Sequence, residues 1–196
     1  GADNDYIVGD NGRLLQYDGA DWNNIATRAT EDLKAIWGHS ANDIFIVGDD
    51  GVILYYGGTD WTEMTSNTTD DLYDVWGNSA SNVFAVGSDT NGNGSVYNYN
   101  GTQWTKIYPA TSNFRDSKSR NASDELIGVW GDDNDVFVVG KNGTILNNET
   151  EDDGDNDGDD GGNGGGGGGG GSCGATGIEL FAFIAILACI RFYRKN

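Results

Sequence analysis

Apolar and polar positions over the first three quarters of this chain fall into short runs, and none of them follows a helical period. Runs such as "IFIV" and "VFVV" are β-branched, aromatic and apolar on both faces, which is the pattern of a buried strand. The runs repeat. "NDYIVGDNGRLLQYDGADW" recurs as "NDIFIVGDDGVILYYGGTDW", as "SNVFAVGSDTNGNGSVYNYNGTQW" and as "NDVFVVGKNGTILNN". The glycine closing each Val-Gly pair falls at Gly9, Gly48, Gly87 and Gly140. Between the copies stand "LKAIWG", "LYDVWG" and "LIGVWG", ending at Gly38, Gly77 and Gly131.

Each period of about 40 residues predicts four strands. Their clearest copies are a (Leu72–Trp76), b (Val83–Val86), c (Val52–Tyr56) and d (Trp61–Thr65). The b–c connections read "GDNG", "GDDG" and "GKNG", and Asn-Gly or Asp-Gly pairs supply the positive φ angles a tight hairpin needs. "YDGADW", "YGGTDW" and "YNGTQW" mark a second hairpin between c and d. Four antiparallel strands per such period define a propeller blade. The fold class is therefore expected to be all-β. Residues 1–148 form a partial β-propeller of four-stranded antiparallel blades, about three and a half in number.

The last copy breaks the pattern. Asn148 stands where earlier copies have Tyr17, Tyr56 and Tyr99, and no d strand follows it. The expectation is a larger ring in which a segment upstream of this chain completes the final blade. The chain begins at Gly1 with no Met and no signal peptide, which reads as an N-terminus removed by processing or truncation.

The "VWG", "NDVFAVG"-like and "GTIL" wording resembles propeller repeats of the sialidase Asp-box-like group in secreted bacterial proteins. That resemblance covers residues 1–147 and implies fold more than activity. Sialidase-type enzymes use an arginine cluster, a Tyr–Glu pair and an acid. The body's arginines, Arg13, Arg28, Arg115 and Arg120, suggest no such triad, and "GTDW" and "GTQW" lack the full Asp-box frame. His39 is the only histidine. The chain is read as non-enzymatic. The alternative is the C-terminal part of a propeller hydrolase or lyase with its catalytic residues upstream.

Charge and composition narrow the partners. A net charge of −20 argues against a phosphate-backbone ligand, since such binding rests on Lys and Arg, so no nucleic acid is expected. Six Trp, nine Tyr and seven Phe oppose disorder in the body. Trp37, Trp76 and Trp130 recur at the end of strand a, and Trp22, Trp61 and Trp104 at the start of strand d, so packing between blades accounts for them before sugar stacking does.

Strand order puts the b–c and d–a connections on one face. Both insertions of the third copy, "SDTNGNGS" and "YPATSNFRDSKSRNASDE", fall there. Asp89, Asn91, Arg115, Lys118 and Arg120 are the candidate ligand-binding residues on that face, for a protein or glycan partner. A tolerated surface loop is the plainer reading of the same insertions.

Residues 149–172 form an acidic, glycine-rich linker that reads as a solvated spacer, spanning about 25 Å as a flexible coil. Asp153, Asp155 and Asp157 before Gly158 match the start of a calcium loop, but Gly164 stands where its bidentate acid belongs. Calcium in this linker is the only cofactor the sequence suggests. Residues 173–196 follow as a separate segment. The apolar run Ile178–Ile190 reads as one short C-terminal hydrophobic helix, marginal as a transmembrane helix, with membrane contact expected over 178–193. Arg191, Arg194 and Lys195 give it positive-inside polarity. Poly-glycine, Cys173, a short apolar helix and a basic end resemble bacterial C-terminal sorting signals of the Myxo-CTERM and Synerg-CTERM kind. That resemblance implies export, transit through the inner membrane and handling by a sorting protease or transpeptidase. It makes Cys173 the processing or lipidation position and the cell surface, outer membrane or exterior the destination. The function expected is non-catalytic binding or display there.

Overall fold

In the computed structural model, residues 5–109, 114–116, 124–148 and 189–191 are described. They form four sheets of four antiparallel strands. The first sheet contains β1 (Asp5–Gly9), β2 (Arg13–Tyr17) and β3 (Trp22–Ile25). The second is β4 (Leu33–Ser40), β5 (Asp43–Gly48), β6 (Ile53–Tyr56) and β7 (Trp61–Glu63). The third is β8 (Asp71–Ser79), β9 (Asn82–Ser88), β10 (Gly94–Tyr99) and β11 (Trp104–Tyr108). The fourth joins β12 (Phe114–Asp116) to β13 (Leu126–Gly131), β14 (Val136–Gly140) and β15 (Ile145–Asn148). A last strand, β16 (Cys189–Arg191), pairs with β1 and completes the first sheet. The four sheets carry the a-to-d order read from the repeat.

Three apolar layers hold neighbouring sheets together. Tyr6, Val8 and Leu14 of the first sheet pack on Ile36, Ile44, Ile46 and Leu54 of the second. Phe45, Val47 and Ile53 pack on Val75, Val83, Ala85 and Tyr97 of the third. Phe84, Val86 and Val96 pack on Val129, Val136, Val138 and Leu146 of the fourth. The middle strands β5 and β9 are therefore buried on both faces, while β1 and β14 alternate between buried and half-buried positions. Two-faced apolar runs such as "IFIV" are what a strand between two sheets requires.

Strand a carries one extra residue in each full copy. The register shifts between Leu33 and Ala35, between Leu72 and Asp74 and between Leu126 and Gly128. Such a bulge bends the strand and re-aims the side chains beyond it. The tryptophan at the end of strand a then lies across the glycine of the next sheet's "VWG", Trp37 over Gly77 and Trp76 over Gly131.

Two expectations change. The final blade is not left for an upstream strand. β12, from the middle of the large insertion, pairs with β15 and takes the d position. Phe114 lies opposite Asn148, just as Trp61 lies opposite Tyr56 and Trp104 opposite Tyr99. The physical reason is edge pairing: β12 satisfies β15's outer backbone groups and supplies the aromatic that this corner uses in the other sheets. With β16 in the first sheet, the count is four complete sheets rather than three and a half.

The second change concerns the tail. Cys189–Arg191 is a strand, where the sequence suggests the end of a helix over Ile178–Ile190. Its pairs are Asp5 with Arg191, Tyr6 with Ile190 and Ile7 with Cys189. An open inner edge on β1 offers backbone partners that a lone short helix does not. Among the described residues no helix is long and apolar enough to cross a membrane. The rest of the apolar run lies outside the described residues.

A candidate binding face

The b–c turns and d–a connections meet on one face and are hydrogen-bonded to each other. Gly12 N–H donates to Glu31 O at 2.7 Å, Asp49 N–H to Asp32 O at 3.0 Å, and Lys141 N–H to Glu125 O at 2.8 Å. Acids at or just before the start of strand a hold the turns of the preceding sheet: Asp32 accepts from Asn11 N–H at 3.0 Å, and Asp71 from Asp50 N–H at 3.0 Å. Asn11, Asp50 and Asn142 have φ of 57°, 53° and 57°, so the Asn-Gly and Asp-Gly pairs do supply left-handed turns. Much of this face's acidity is thus spent on turn geometry.

Where the β7–β8 connection meets β10 and β11 of the third sheet, the face opens into a depression of about 490 Å³, lined by Asn67, Thr68, Thr69, Asp70, Tyr97 and Lys106. Its floor is a closed polar circuit. Asp70 N–H donates to Thr68 Oγ1 at 3.0 Å, and Thr68 Oγ1 lies 2.6 Å from the Tyr97 hydroxyl. Tyr97 donates its proton to Asp70 Oδ2 at 2.8 Å, so Thr68 is the donor to Tyr97. Lys106 Nζ donates to the same Asp70 oxygen at 2.8 Å and sits 5.5 Å from the centre of the Tyr97 ring.

The charges of the circuit are mutually fixed. Burial alone would raise the Asp70 carboxyl, but the Lys106 and Tyr97 hydrogen bonds outweigh it and hold it below the usual range. Lys106 is pushed down by burial yet ends above its ordinary value through its bond to Asp70. Burial raises the Tyr97 phenol. The result is an ordered patch of hydroxyl, amide and methylene groups, with rim residues Asn67 and Thr69 exposed.

A second buried carboxylate lies deeper. Asp74, in strand a of the third sheet, accepts from Val129 N–H of the fourth at 2.9 Å and from Val75 N–H at 2.9 Å. Burial raises it to about 6 against the pull of those two bonds. Ala35 and Gly128 hold the matching positions elsewhere. Asp74 is therefore a tie between two sheets, away from the depression's lining.

The sequence-derived candidates separate in the structure. Asp89 and Asn91 sit in the β9–β10 turn on the expected face. Asp89 accepts from Asn91 N–H at 2.8 Å, from Asn93 N–H at 2.9 Å and from Asn93 Nδ2 at 2.9 Å. These bonds hold its carboxyl down to about 2. Its oxygens organise the turn. Arg115, expected in a loop, is in β12 and pairs with Asn147. Lys118, Arg120, the acids Asp153, Asp155 and Asp157, and Cys173 lie outside the described residues. Among the described residues no group of three or more His, Cys, Asp or Glu is placed to hold a metal. Arg13 is on β2 of the first sheet and Arg28 in the β3–β4 connection, with Arg115 in the fourth sheet.

Sequence reasoning missed the Thr68–Asp70–Tyr97–Lys106 circuit. Its one local signal is a lysine in a d strand, 36 residues from its acid partner, and only sheet packing joins them.

Strand order, register and inter-sheet packing define a β-propeller fold. The chain is similar to the solved structure of YCF48 bound to D1 peptide, at 13% identity and a TM-score of 0.56, covering 75% of this chain and 48% of that one. It is also similar to YCF48 from Cyanidioschyzon merolae, at 17% identity and a TM-score of 0.53, covering 73% and 47%. The chain thus spans about half the length of the structures it matches. At these identities the likeness speaks for the fold. No protein-family model matches the chain, and neither does any curated protein.

Proposed function

We propose that this chain is a non-catalytic binding module that takes an extended protein segment on the face of its b–c turns and d–a connections. The observation that carries this reading is the depression lined by Asn67–Asp70, Tyr97 and Lys106, whose walls offer backbone and side-chain hydrogen-bonding groups. A few convergent polar groups held in fixed positions orient a ligand that lies across them. The solved neighbour with a bound D1 peptide supports a peptide over a glycan. The experiment is binding of the labelled 196-residue chain to a peptide array and a glycan array, with wild type beside Thr69→Arg. Thr69 is exposed on the rim, so arginine there fills the depression without disturbing the core. Peptide signals that drop about tenfold in the variant support the reading. Glycan signals alone, or peptide signals unchanged by Thr69→Arg, refute it.

We further infer that the module is exported and displayed at the cell surface. The order of poly-glycine, Cys173, apolar run and basic end supports this, with a sorting protease or transpeptidase as the second partner. Intact-mass analysis of the protein from its native envelope tests it. A C-terminus at or just before Cys173, or a lipid on Cys173, is expected, and a chain intact through Asn196 refutes it.

A further inference from the structure

Four large apolar side chains are well exposed among the described residues: Trp22 at 44%, Ile127 at 46%, Trp130 at 48% and Ile145 at 38%. They are not scattered. Trp22 lies on the outer face of the first sheet, in register with Tyr17 and beside Ile7 and Leu15. The other three lie on the outer face of the fourth, where Trp130 stacks on Phe137 at 6.0 Å and Ile145 follows Val139.

These two faces are the separate halves of a contact the chain makes three times internally. At each inter-sheet contact an aromatic from strand d of one sheet meets the strand-b aromatic of the sheet before it, edge to face. Trp61 meets Tyr6 at 5.9 Å and 79°, Trp104 meets Phe45 at 6.3 Å and 80°, and Phe114 meets Phe84 at 6.3 Å and 81°. Trp22 is the strand-d aromatic of the first sheet, and Phe137 the strand-b aromatic of the fourth. Ile7 and Leu15 repeat Ile46 and Leu54, which are fully buried in the second sheet.

We propose that the outer face of the fourth sheet binds the outer face of the first sheet of a second copy, and the reverse, in a head-to-tail pair. The occupant is argued from the chain itself, which already closes this contact three times with the same residue types. One corner differs. Where Trp37 and Trp76 lie on Gly77 and Gly131, the register position in β16 is Arg191, so the inner corner of the fourth contact is not a copy of the other three. The outer aromatic pair carries the contact. Each copy has a net charge of −20, so screening by salt favours association.

The test is sedimentation velocity of the 196-residue chain from about 1 to 200 µM, at about 50 and 500 mM NaCl. A species of twice 20.9 kDa, favoured by salt, is expected. Trp22→Glu alone and Phe137→Glu alone each weaken it by about a hundredfold. Mixed together, the two variants regain a heterodimer, because one copy's intact first sheet meets the other's intact fourth sheet. Near-ultraviolet circular dichroism checks folding, and Trp22→Ser at the same exposed position serves where Trp22→Glu does not fold. A monomer throughout, polymers longer than two, or a mixture that regains nothing overturns the proposal.

Discussion

Trp37 lies so close across Gly77 that a Cβ there would stand 2.9 Å from its Cη2 atom and 2.7 Å from the carbonyl oxygen of Asn82. Trp76 and Gly131 repeat the arrangement at 2.9 Å, with Asp135 O at 2.2 Å. The "VWG" motif thus acts between sheets: its tryptophan reaches forward and its glycine receives the tryptophan behind. Backbone oxygens cannot swing aside as a flexible side chain can. Gly77→Ala is expected to cost about 1–3 kcal/mol, read from urea unfolding. Gly9→Ala is the control, with nothing within 4 Å of its Cβ and an expected change within about 0.5 kcal/mol.

Asp74 makes stability depend on pH in an unusual direction. Burial raises its pKa from 3.8 to about 6, so the folded state holds the proton more tightly than the unfolded chain. Stability from this group is therefore present at low pH and lost as pH rises between these values. The shift corresponds to about 3 kcal/mol. Asp74→Ala, which copies Ala35 of the second sheet, gives up two backbone hydrogen bonds at every pH but escapes that loss. Relative to wild type the variant should gain about 2 kcal/mol between pH 4 and pH 7, measured by thermal or urea melts. A constant difference across that range contradicts the burial of the charge.

The legible parts of this protein are the parts that repeat. Strands a to d and their hairpins recur at fixed spacing, so "IFIV" and Asp50-Gly51 announce themselves locally. The packing role of Trp37, Trp76 and Trp104 was legible for the same reason, since a ring repeats its contacts. Non-repeating parts were not. Phe114 takes a strand position inside an insertion that has the composition of a loop, because β15's edge recruits it. Asp89 looked available for a ligand because a sequence cannot show that Asn91 and Asn93 consume its oxygens. The Asp70–Lys106 pair ties the connection before β8 to β11 beside the Tyr97 hydroxyl, and no local spacing encodes it.

Lys106 is the counter-charge that keeps Asp70 ionised beneath the depression. In Lys106→Met, burial of Asp70 is no longer offset by the 2.8 Å ion pair. Its carboxyl should then titrate at a higher pH than in wild type, followed by carbon-13 NMR of the side-chain carboxyl. Tyr97→Phe should have a smaller effect in the same direction, and should destabilise the fold by about 1–2 kcal/mol, since Thr68 and Asp70 lose a shared partner. An unchanged Asp70 titration in Lys106→Met means that the pair is not formed in solution.

The proposed sorting and the observed strand pairing make opposing demands on the tail. Processing at Cys173 would remove residues 173–196 and with them β16, leaving the inner edge of β1 without its partner. A chain ending at Ser172 should then show faster amide exchange within Asp5–Ile7, by about tenfold or more, than the full chain. Tyr6 and Val8 face the second sheet, so the core layer stays and Val47 and Val86 should keep their protection. Equal exchange at Asp5–Ile7 in both proteins would mean that β16 contributes nothing in solution. Faster exchange confined to β1 would show that β16 holds the inner edge of the first sheet in the full chain.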